Sequence, residues 1–172
     1  MNVDITVMRE MELKLLIIEY NKASQLDRSF SQTKLSRTKK VLFREKLLAC
    51  CFFLMNKVDD ETLTNNDIRE KIRELTKVDS GISFGQAQKV VNVVVKQYCF
   101  ILNKESLFKE LDCPLDSTTM KGYGINHKTM KDVNEDDYLE YQKRYSDEFD
   151  GMRILKDYNY DKMRIYNFLN PK

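Results

Sequence analysis

The first 80 residues contain neither glycine nor proline; the earliest of either is Gly81. A stretch that long without a backbone breaker, rich in Leu, Lys, Glu and Met, favours helices over sheet. The breakers gather afterwards, at Gly81, Gly85, Pro114, Gly122, Gly124, Gly151 and Pro171. They predict a turn near residue 81, an irregular stretch from about 104 to 129, and a further break near 151.

At 172 residues, with 42% apolar and 33% charged side chains, the chain has the length of one domain and the composition of a globular core. Disordered, collagenous and membrane-spanning readings are excluded on those figures. The longest apolar run, Leu47 to Met55, is nine residues, against roughly 20 for a spanning helix. Asp4, Glu10 and Glu12 lie where a secretory signal would need a basic start and an apolar stretch, so no signal peptide is expected. Cys50, Cys51, Cys99 and Cys113 form no C-x-x-C pair, and His127 is the single histidine. The cysteines therefore read as reduced, mostly buried thiols of a cytoplasmic protein, with no metal site and no cofactor.

Apolar spacing predicts the helices one by one. Met8, Met11, Leu15 and Ile18 recur at 3, 4 and 3 and mark a buried stripe on a helix from about Val7 to Lys22. A second helix is expected from about Ser36 to Asn56. A third runs from about Asn66 to Lys77, on the stripe Ile68, Ile72, Leu75, with Thr64, Asn65 or Asn66 as N-cap. Ser83 with Gln86 three residues on is a capping-box pattern opening a helix to Leu102. Its five valines at 90, 91, 93, 94 and 95 argue locally for strand. Lys89, Asn92 and Lys96, at spacings of 3 and 4, place the polar residues on one helical face and decide for a central, largely buried helix. A short helix at about Glu105 to Leu111 and closing helices at about Glu135 to Phe149 and Asp157 to Leu169 complete the expectation. The fold class is all-α, a single domain over 1–172 of about six or seven helices, with a basic N-terminal half (1–80) and an acidic, tyrosine-rich end.

The near-neutral total conceals two charged segments. From Arg28 to Lys46 seven basic residues meet one acid, and from Asp132 to Asp150 eight acids meet two bases. On a helix, Lys34, Arg37, Lys40 and Arg44 fall within about 120° of one face. With Lys39, and with Ser31, Thr33, Ser36 and Thr38 as hydroxyl donors, they suit phosphate contacts to nucleic acid. The bland reading is a solvated face, or a patch answered by the acidic segment within the fold. Acids in the first turn of a helix are what its dipole favours without any function. The acidic segment, with Glu135 and Asp136, could also present negative charge to a basic partner. Tyr138, Tyr141 and Tyr145 share a face at spacings of 3 and 4. Core packing is the favoured reading of that stripe; a partner interface is the other.

Catalytic patterns are weak. His127 lies among glycines, with Lys121 and no arginine upstream, and nothing in the sequence fixes Cys113 beside it. No P-loop, dinucleotide fingerprint or H-E-x-x-H occurs.

The segment Phe84-Gly85-Gln86-Ala87-Gln88-Lys89, then Asn92 and Lys96, then Cys113-Pro114-Leu115-Asp116, resembles a family of small uncharacterised bacterial proteins with an aromatic-G-x-A-Q-K-x-x-N-x-x-x-K helix and a C-P-x-D segment. The resemblance covers about residues 82–169. Gln97, Asp112 and the His127-Lys128-Thr129 stretch depart from it. It implies helical packing around Phe84 to Tyr98, with Asn92 and Asp116 as buried polar fasteners, and no particular reaction.

Three functions are therefore expected, in order. The first is a non-enzymatic binding protein contacting nucleic acid through residues 28–46. The second is a regulator or inhibitor of a nucleic-acid enzyme, in a mobile-element or phage-conflict setting, using the acidic C-terminal face. Self-association of the two charged patches is one form of it. The third is a helical hydrolase or nuclease around His127. No membrane partner is expected.

Overall fold

The computed structural model describes residues 5–21, 35–121, 129–159 and 161–162, and they form an all-α domain. The helices are α1 (Ile5–Asn21), α2 (Arg37–Asp59), α3 (Asn65–Thr76), α4 (Phe84–Ile101) and α5 (Glu135–Glu148), with 3-10 turns at Glu105–Leu107 and Met130–Asp132. Residues 155–159 are again helical. Among the described residues no helix is long and apolar enough to cross a membrane.

Helix starts follow local chemistry. Thr64 caps α3: its Oγ1 accepts from Asp67 N at 3.2 Å, while Asp67 Oδ2 accepts from Thr64 N at 2.9 Å. Ser83 and Gln86 make the same reciprocal pair at the start of α4, and Asn134 and Asp137 at the start of α5. Each box satisfies two backbone donors that the first turn would leave orphaned. The chain reverses after α2 and α4 through left-handed residues, Glu61 at φ 55° and Asn103 at φ 53°.

Helix α4 is the axle. Every residue from Gly85 to Lys96 is buried, and α1, α2, α3, α5 and both 3-10 turns pack against it. A helix enclosed on all sides can use valine all round, so packing overrides the strand preference of residues 90–95. The polar row is enclosed too. Lys89 Nζ meets Asp116 Oδ2 at 2.9 Å, Asn92 Nδ2 donates to Tyr138 Oη at 3.0 Å, and Lys96 Nζ meets Asp157 Oδ2 at 2.6 Å.

Two departures from the sequence reading concern α1 and the chain after α4. Of the expected stripe Met8, Met11, Leu15 and Ile18, only Ile18 is buried; the buried face is Lys14, Ile17, Ile18 and Asn21. The expected helix at 105–111 is a 3-10 turn followed by further turns. Of the closing helix expected to Leu169, residues 163–169 lie outside the described residues.

Gly85 is required by proximity. A Cβ there would lie 1.7 Å from the backbone oxygen of Met130, and Gly85 N donates to Val133 O at 3.1 Å. Backbone on both sides leaves no flexible atom to yield. Gly85→Ala is expected to cost about 3 kcal/mol or more by overpacking. Urea unfolding of the two proteins measures it; a loss below about 1 kcal/mol would contradict this packing.

Candidate interaction surfaces

The chemistry-bearing side chains divide into a buried polar system and two surface faces. The buried system is built around residues 112–119, a segment running between α4 and α5. Gln88 on α4 donates to Leu115 O at 2.8 Å and accepts from Leu115 N at 3.0 Å. Gln142 on α5 treats Cys113 in the same way, at 2.8 and 2.9 Å. Each amide thus replaces the paired backbone groups of a neighbouring strand. Asp112 accepts from Arg69 Nε at 3.0 Å, Arg153 Nε at 2.7 Å and Tyr138 Oη at 2.7 Å. Tyr145 Oη donates to Thr119 O at 2.6 Å.

This arrangement is structural in its chemistry. Burial pushes the Cys113 thiol well above its ordinary range, so it stays protonated and poorly nucleophilic. Burial also raises Cys50 to about 11 and Cys99 to about 12. Asp116 is desolvated, yet Lys89 and the Thr118 and Thr119 amides outweigh that and hold its carboxyl below the usual range. His127 lies outside the described residues. Among those residues, no three His, Cys, Asp or Glu side chains gather to hold a metal ion.

The tyrosine stripe belongs to this interior. Tyr138, Tyr141 and Tyr145 are buried, which corrects their placement in a partner surface: Tyr138 meets Asn92 and Asp112, Tyr145 meets Thr119, and Tyr141 packs beside Tyr145. Glu135 is half-buried and accepts from Arg73 Nε on α3 at 2.6 Å. Asp136 is exposed.

The basic segment is split by the buried seam of α2. Phe43, Leu47 and Leu54 point inward. At about 100° per residue, Lys39 and Lys46 lie on one flank of that seam, and Arg37, Lys40 and Arg44 on the other. Lys39 Nζ is 3.4 Å from Asp79 Oδ2, and Lys46 Nζ is 3.3 Å from Glu74 Oε2. The acids that answer these two lysines therefore come from α3 and the turn after it, not from 132–150. Val41, Leu42 and Phe53 are exposed on the outward side between the flanks. Lys34 lies outside the described residues.

The second face was missed by the sequence reading. Helix α1 is attached through polar groups. Lys14, 4% exposed, donates to Glu10 Oε1, Asn56 Oδ1 and Asp59 Oδ2 at 2.8, 2.8 and 2.6 Å, using all three ammonium hydrogens. Asn21 Nδ2 reaches Gln97 Oε1 at 2.8 Å. Meanwhile Val7, Met8, Met11, Leu15, Leu16 and Tyr20 face water, Leu16 at 68% and Tyr20 at 65% exposure. Residues 6–12 are exposed at every position. A cavity of about 550 Å³ lies against the helix, with Arg9, Glu12, Leu13, Leu15, Leu16 and Glu19 among its lining residues. The signal was in the sequence: Leu13, Leu15, Leu16, Ile17 and Ile18 supply more apolar directions than one buried face can use.

No family model, curated protein or solved structure matches the chain.

All four cysteines are buried and unpaired. The native protein is therefore expected to give no reaction with a thiol-specific disulfide reagent over minutes, and four equivalents after unfolding in guanidinium. A fast-reacting thiol in the native state would refute the enclosed, thiol-only reading.

Proposed function

We propose that this protein is a binding module whose partner is another protein, held against the outer face of α1. One observation carries the reading: α1 buries Lys14 and Asn21 beside Ile17 and Ile18 and leaves most of its other large apolar side chains exposed. A helix that buries a lysine and an asparagine while presenting six large apolar side chains to water is the arrangement expected of an interaction face. The buried system around Asp112 favours the same reading, because its polar groups are engaged in holding segments together.

The test is the double variant Leu16→Glu with Tyr20→Glu. Exposed positions tolerate such changes within about 0.5 kcal/mol, so the melting temperature is expected to stay within about 2 °C. Binding of an apolar fluorescent dye to the native protein should fall sharply, and cross-linked protein complexes formed by the wild type should be lost. A melting temperature lowered by several times that amount would mean the face is packed, and the reading would fail.

A second reading, nucleic-acid contact through α2, is favoured by the common flank of Arg37, Lys40 and Arg44 and by the absence of acids from the first turn of α2. A site with several phosphate contacts should lose orders of magnitude in affinity between about 50 and 200 mM salt. Arg37→Glu with Lys40→Glu should abolish it. Absence of binding to single- and double-stranded DNA and RNA at the lower salt would remove this reading.

A further inference from the structure

We draw no further inference here: the strongest candidate, the outer apolar face of α1 with the cavity against it, is already the docking surface of the proposed function, and nothing in the structure shows what covers it.

Discussion

Asp112 is the point on which the fold turns. Its side chain has no exposure, and a buried carboxylate without partners would cost several kcal/mol. The site answers it with Arg69 from α3, Arg153 from the stretch after α5 and the Tyr138 hydroxyl from α5. One ion thereby fixes three parts of the chain at once, and the order of dependence is clear. Tyr138, which donates to Asp112, also accepts from Asn92 on α4. Asn92 in turn reaches Gln88, which clamps Leu115. Buried ion pairs contribute little net stability compared with apolar packing, but losing one partner is severe. Their value here is register: they determine which residues of the 112–119 segment meet which helix.

The same logic recurs on α4 with different partners. Lys89 and Lys96 lie seven residues apart on its buried polar row. The first holds the 112–119 turn through Asp116; the second holds the terminal helical stretch through Asp157 and Asp161. Burial alone would lower the Lys96 pKa, yet the two carboxylates outweigh it and raise the value above the ordinary one. This contribution is complete below the unfolded lysine pKa and is lost only as pH rises through the folded one, in the strongly alkaline range. The hold of Lys96 on Asp157 and Asp161 is therefore independent of pH across the neutral range. It depends on ionic geometry rather than on a protonation switch.

What could be read from the sequence was what local chemistry decides. Ser83 with Gln86 opened α4, Thr64 was among the caps foreseen for α3, and Asn134 opened α5, because a capping box is closed within four residues. The tyrosine stripe of α5 had the spacing of a core face and packs as one. Asn92 was expected to be buried only through the resemblance; the burial of Lys89 and Lys96 was not legible, since they look like a solvated face until their partners arrive from residues 116 and 157. Asp112 was noticed only as a departure from a motif. Its arginines lie 43 and 41 positions away, beyond any spacing argument. On α1 the error had a different cause. Apolar residues surround that helix, so the 3–4–3 row was one of two available stripes, and the position of Asp59 and Gln97 chose the other.

That choice bears directly on function. Had α1 docked through Met8, Met11 and Leu15, its attachment would have been greasy and its register loose. Lys14, bonded to three oxygens and lying 5.7 Å from the Tyr98 ring centre, sets the rotation of the helix. Tyr98 donates to Asp59 on the same site, so α2 and α4 hold one polar clasp between them. The clasp fixes the rotation of α1 about its own axis, and with it which apolar residues point outward. The polar attachment and the apolar exterior are then two consequences of one arrangement.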